Sequence, residues 1–259
     1  MVEQVSPAVV GQVWRIRHVA TDRPWVWLTL GWRDLMANKA VGLAYGAALT
    51  VFGWLLALLM LETGTPWAIL PATAGFFMLA PLAAAGRYEV SRRRAQGQES
   101  TLAEAMGGFR RNGTQLSMMG ATLLLIHLLW VRIAGLLFAL FFGLSFAPSL
   151  VDLPLAMLRS DQLLPFLALG TGFGFVLAAA TFAVSAVSIP MLVDRDVSFL
   201  EAVTVSIRAV MENSRAMALW AGLIVLFTGL ALVPFFLGLV LVMPLIGHAT
   251  WHAYRDLVE

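Results

Sequence analysis

Residues 86–113 read GRYEVSRRRAQGQESTLAEAMGGFRRNG, and the reading of this stretch decides the fold. It gathers Arg87, Arg92, Arg93, Arg94, Arg110 and Arg111 between two long apolar blocks, 40–85 and 115–193. Arginine-rich connectors stay on the cytoplasmic side of a bilayer, so this one orients the blocks on either side of it. Of the 259 residues, 60% are hydrophobic and 12% charged, and the mean hydropathy is +0.83. Too little polar surface remains to clothe a water-soluble core of that size, so lipid must solvate most of the chain. The fold expected is all-α, a polytopic membrane protein with six transmembrane helices.

Residues 40–61 are apolar for long enough to cross about 30 Å of hydrocarbon at 1.5 Å per residue. A turn at 62–66 leads into a return span over 67–85, interrupted by Pro71 and Pro81. Residues 115–146 and 170–193, the latter open to extension through 163–169, form the next pair. Residues 216–232 and 235–247 form the last, turned at Val233 and Pro234. The whole chain, 1–259, then reads as a single membrane domain. It comprises an N-terminal arm with an interfacial helix (1–39), spans one and two (40–85) and a basic loop (86–114). Spans three and four follow (115–193) with an outer cap (147–162), then an amphipathic helix (194–215), and spans five and six with the tail (216–259). With 1–39, 86–114, 194–215 and 248–259 on one side, every Lys and Arg lies there except Arg132 and Arg159. Both termini are therefore expected in the cytoplasm, with the protein in a bacterial inner membrane. The N-terminal residues have no uninterrupted apolar run followed by a cleavage site, so they are not read as a signal peptide.

The stretch 25–38, WVWLTLGWRDLMAN, is too short and polar to span. Trp25, Leu28, Trp32, Leu35 and Met36 recur at helical spacing while Arg33 and Asp34 point elsewhere, which suits an interfacial amphipathic helix. Similar stretches precede the third and fifth spans. Thr101/Glu104 and Ser198/Glu201 are capping-box starts. Arg33, Arg110 (or Arg111) and Arg208 fall at similar places, and Pro81, Pro190 and Pro244 mark the inner ends of the return helices. Three repeats of an interfacial helix plus a helical hairpin are expected. The competing explanation is that basic amphipathic stretches precede spans in inner-membrane proteins generally.

The chain has no cysteine, which removes disulfides and thiolate metal sites. His248 and His252 stand four apart, on one helix face, and could ligate a metal or haem with Glu89, Asp194 or Asp196 nearby. The reading adopted is a helix end anchored with Trp251 and Tyr254 in the headgroup layer, so no metal and no cofactor are expected. His127 and Arg132 are polar positions inside the third span. Arg132 lies near the outer interface, where it can snorkel or pair with Asp152, Asp161 or Glu62, and His127 is expected neutral and bonded to a carbonyl or hydroxyl. The six arginines of 86–113 are expected to contact lipid headgroups, at about 1 kcal/mol each. Their basic face is too small for nucleic acid. Gly42/Gly46 and Gly170/Gly174 are spaced to let helices approach closely. There is no phosphate loop, no G-x-S-x-G, and no Ser, His and acid cluster expected at one depth, so no enzyme is expected.

Three stretches carry a family resemblance: RIRHVATDRPWVWLTLGWRDL (15–35), GRYEVSRRR (86–94) and GHATWHAYRDLV (247–258). They resemble the bacterial integral membrane proteins grouped as domain of unknown function 2189. That resemblance implies a polytopic inner-membrane protein with no established activity. Some members carry the label "cytochrome c oxidase subunit I", which does not suit this chain. A haem–copper core needs many intramembrane histidines, and of the four here His18 lies outside the spans. The function expected is a non-enzymatic accessory, assembly or membrane-organising factor. The alternative is a small transporter or channel for a lipid or amphipathic solute, with a haem or metal protein ranked last. The partners expected are membrane lipids and a membrane protein or a second copy of the chain.

Overall fold

In the computed structural model the described residues are 14–65, 69–98, 100–143 and 152–259. They form thirteen helices, with one isolated antiparallel bridge between Ile16 and Val258. Four are long and apolar enough to cross a membrane: α2 (Lys39–Glu62), α7 (Gly113–Phe142), the α9–α10 run (Leu163–Ser185 and Ser188–Asp194) and α12 (Ser214–Leu232). Two shorter apolar helices, α3 (Ile69–Ala83) and α13 (Leu239–Leu257), contain Pro81 and Pro244. The early start of α9 takes in 163–169, which the sequence left optional.

The basic connector folds into helices: α4 (Ala85–Ala95), α5 (Leu102–Met106) and α6 (Gly108–Arg111). At α5 the capping box closes both ways, with Glu104 N–H donating to Thr101 Oγ1 at 3.3 Å and Thr101 N–H to Glu104 Oε2 at 2.8 Å. Ser198 caps α11 (Phe199–Glu212) by accepting from Glu201 N–H at 3.2 Å. The Glu201 carboxylate is turned elsewhere and accepts from Trp14 Nε1 at 2.5 Å. Residues 147–151 of the expected outer cap lie outside the described residues, and the rest of it, 152–162, holds the short helix α8 (Leu153–Leu158).

Packing is concentrated at one end. Trp27 and Trp220 meet edge to face at 5.9 Å in a core that also buries Tyr88, Ile189, Leu192 and Tyr254. The termini close this end, with Arg17 N–H donating to Leu257 O at 2.9 Å and Glu259 N–H to Arg15 O at 3.1 Å. Towards the other end, no residue of α2 from 51 to 62 is buried, and none of α9 from 163 to 180. There α13 packs on α2 and α12, while α7 packs on α3 and α9. Nothing comparable joins α2 to α3 or α9 to α12 among the described residues.

The helix α1 (Arg23–Ala37) packs inward on a face whose buried residues include only Leu35 of the apolar stripe read from its periodicity. Trp27, Gly31, Asp34 and Leu35 are buried, whereas Trp25 and Trp32 are exposed. The cause is close approach to α13, since a Cβ at Gly31 would lie 2.7 Å from Ala249 N. Gly46 serves the same purpose between α2 and α13, where a Cβ would meet Val240 O at 2.3 Å. Gly174 packs on Trp130, but Gly170 has nothing within 4 Å, so close approach does not explain that glycine.

One joint recurs three times. Asn38, Asn112 and Asn213 each end a short helix and begin a spanning one, at φ/ψ of −134/53, −131/56 and −121/37. A one-residue bend of this kind interrupts the helical hydrogen-bond ladder, and a short amide side chain can reach neighbouring backbone groups. Here each amide reaches another connector. Asn38 Nδ2 donates to Ser100 O at 2.8 Å, ahead of α5, and Asn112 Nδ2 to Val197 O at 2.9 Å, ahead of α11. Asn213 Nδ2 donates to Arg17 O at 3.0 Å, ahead of α1, and Asn213 Oδ1 accepts from Val19 N–H at 2.9 Å. The three clasps run first to second, second to third and third to first, closing a circuit.

Candidate functional site

The buried polar groups gather where α1, α2, α4 and α13 meet. Helical spacing of four puts Arg87 and Ser91 on one face of α4 and His248 and His252 on one face of α13. Close packing at Gly247, where a Cβ would fall 2.8 Å from Arg87 Cβ and Cγ, brings these faces together. Asp34 enters from the inward face of α1.

The hydrogen bonds fix the direction of the protons. Ser91 Oγ lies 2.6 Å from Asp34 Oδ2 and 2.6 Å from His248 Nδ1. An ionised carboxylate only accepts, so Ser91 donates to Asp34 and accepts from Nδ1–H of His248. His248 Nε2 is then a bare acceptor, buried and without a partner among the described residues. Burial, and next Arg87, push His248 down to about 3, so the ring is neutral at physiological pH. Burial pushes Asp34 up, but the hydrogen bonds from His252 and Ser91 outweigh it and hold the carboxyl below its usual range. His252 Nε2 and Arg94 Nε complete its shell at 3.0 Å each. In this order His248 does not draw a proton from Ser91, so the trio lacks the arrangement that activates a serine nucleophile.

Arg87 is different in kind. It is fully buried, and among the described residues none of its three guanidinium nitrogens has a hydrogen-bond partner. Its guanidinium carbon sits 4.5 Å from the centre of the Tyr45 ring, and the Tyr45 hydroxyl donates to Ala83 O. Burial lowers Arg87 to about 10, which leaves it charged at neutral pH. The neighbouring carboxylates are taken: Glu89 pairs with Arg92 at 2.7 Å and lies 3.9 Å from Arg111.

The structure thus brings His248 and His252 to Asp34, not to the acids the sequence suggested. Glu89 holds arginines, and Asp194 accepts from Tyr254 Oη at 2.8 Å and Arg255 at 3.2 Å. No group of three or more His, Cys, Asp or Glu side chains among the described residues is disposed to hold a metal ion. His127 Nδ1 lies 3.1 Å from Gly75 O, beside Trp130 Nε1, which donates to Pro71 O at 2.9 Å, so both polar groups tie α7 to α3. Arg132 is exposed. Of the six arginines expected at headgroups, Arg110 and Arg111 are exposed, Arg93 pairs with Glu104 at 2.5 Å and Arg94 with Asp34, and Arg87 is sealed inside. Sequence reasoning missed Asp34, Ser91 and Tyr45. The available signal was Trp27, Gly31 and Asp34 at helical spacing, with the small Gly31 marking the packed face.

Residues 69–194 match a family model described as predicted integral membrane protein (DUF2189). No curated protein and no solved structure matches the chain. The matched region runs from α3 to α10, and of the three resembling stretches it contains only 86–94. Over that region, just under half of its length, the chain is similar to the predicted integral membrane protein family DUF2189.

Proposed function

We propose that this protein is a non-enzymatic accessory, assembly or membrane-organising factor that works by association. In this reading it is a six-span protein of the bacterial inner membrane with both termini in the cytoplasm. Its three interfacial-helix-and-hairpin units are clasped by Asn38, Asn112 and Asn213. One observation carries the reading. The core is gathered at one end, while the far halves of α2 and α9 bury no residue at all. Leu55, Leu164 and Phe175 are 59%, 77% and 72% exposed, an apolar surface that lipid or other helices must cover. The test is a photo-crosslinking residue at Phe175 or Leu55 in intact membranes, followed by a pull-down in mild detergent. A discrete adduct with another membrane protein or a second copy of the chain is expected. Lipid adducts alone, with no membrane protein recovered above background, would overturn the reading.

The second reading is carriage of a lipid or amphipathic solute. What favours it is that α2 packs little on α3, and α9 little on α12, among the described residues. Protein reconstituted in vesicles would then move a fluorescent phospholipid between leaflets faster than empty vesicles do.

A further inference from the structure

We propose that Arg87 binds one phosphate-type oxyanion where α2, α4 and α13 meet. A guanidinium has five N–H donors, and burying it with none satisfied is a costly arrangement that calls for a partner. The ring of Tyr45 covers a face of the guanidinium, but the donors lie in its plane and stay unused. The charge is unmatched as well. Asp34 is committed to Arg94, His252 and Ser91, and Glu89 to Arg92 and Arg111. Water could satisfy the donors without balancing the charge, whereas an oxyanion does both, and the planar guanidinium fork matches two of its oxygens. His248 Nε2, the other unpartnered group of the cluster, only accepts when the ring is neutral, so the donors come from Arg87.

The surroundings suit an anion arriving from the bilayer. Beside the guanidinium α2 presents Gly42, and a Cβ there would already approach Arg87 Nη1 to 3.9 Å. With Lys39 at the interface, Tyr45 lies about 9 Å along α2 at 1.5 Å per residue, so an anion at Arg87 would sit inward of the headgroup layer, where a low dielectric strengthens its pairing with a guanidinium. The Tyr45 hydroxyl donates to Ala83 O at the end of α3, a helix that otherwise packs little on α2. A phospholipid phosphodiester and free inorganic phosphate share the required chemistry.

The test is native mass spectrometry of the full chain released from mild detergent, on wild type, Arg87→Met, Arg87→Lys and the exposed-site control Arg110→Gln. Wild type and Arg110→Gln are expected to keep one phospholipid or to bind one phosphate. Arg87→Met should bind roughly tenfold less or weaker, with Arg87→Lys between them because an ammonium is a poorer fork. Washed protein is then offered phosphatidylglycerol vesicles or inorganic phosphate separately. Saturation by the vesicles alone identifies the lipid as the source, and saturation by phosphate alone identifies the free ion. Either supports the site. Binding of neither, or equal binding by Arg87→Met, overturns it. Should Arg87→Met not fold, phosphorus-to-nitrogen dephasing in the wild-type protein reads the contact directly, and its absence at Arg87 counts against the proposal.

Discussion

Replacing Asn213 with alanine removes three hydrogen bonds at once. These are Nδ2 to Arg17 O at 3.0 Å, Nδ2 to Ala209 O at 3.2 Å, and Val19 N–H to Oδ1 at 2.9 Å. Each is worth about 1 kcal/mol net, and Asn213 is buried, so the loss is about 2–4 kcal/mol. For a chain of this size 1 kcal/mol moves the melting point about 2–4 °C, which places Asn213→Ala about 4–16 °C below wild type. Asn38→Ala and Asn112→Ala each lose one inter-connector bond and should fall by about 2–4 °C. The assay is tryptophan fluorescence on heating in detergent, read beside hydrogen exchange at Val19, which should quicken only in Asn213→Ala. Equal melting points for the three variants, or an unchanged Val19, would refute the clasp.

Other consequences follow from the same packing. Gly46→Val drives a side chain into the Val240 backbone and should cost about 1–3 kcal/mol, whereas Gly170→Ala meets nothing and should leave the melting point unchanged or raise it. The neutral buried His248 gives a pH dependence whose sign is fixed. Its pKa falls from 6.5 to about 3 on folding, so between those values the unfolded chain binds the proton and the folded chain does not. Stability is therefore lost as pH drops from 6.5 towards 3, by up to about 1.4 kcal/mol per unit. His248→Gln should flatten that slope, measured as melting point against pH. Asp34, held below its usual 3.8, adds a loss that begins only at lower pH, as the solution passes through its folded pKa.

The membrane character and the polar connectors were legible because composition and charge asymmetry are properties of whole segments. The capping starts at Thr101 and Ser198 were legible because they are local. What the sequence could not show was rotation. Asp34 looked like a water-facing residue because Trp25 and Trp32 supply the larger apolar stripe, yet Gly31 lets α13 in on the opposite side. Arg87 looked like its neighbours in a basic run, and only the approach of Tyr45 and Gly247 from distant segments encloses it. The asparagine clasps were invisible for a related reason. Each joins residues at least 62 positions apart, and nothing in the letter N distinguishes a joint from a turn.

The chain has no natural cysteine, so single cysteines can report which residues face which compartment. The decisive pair is Gly97→Cys, at the turn after α4, and Asp161→Cys, ahead of α9. With a membrane-impermeant maleimide on sealed cells, the account predicts labelling at 161 alone, and labelling at 97 only after the membrane is opened. Labelling of both from the same side of the sealed membrane would contradict it.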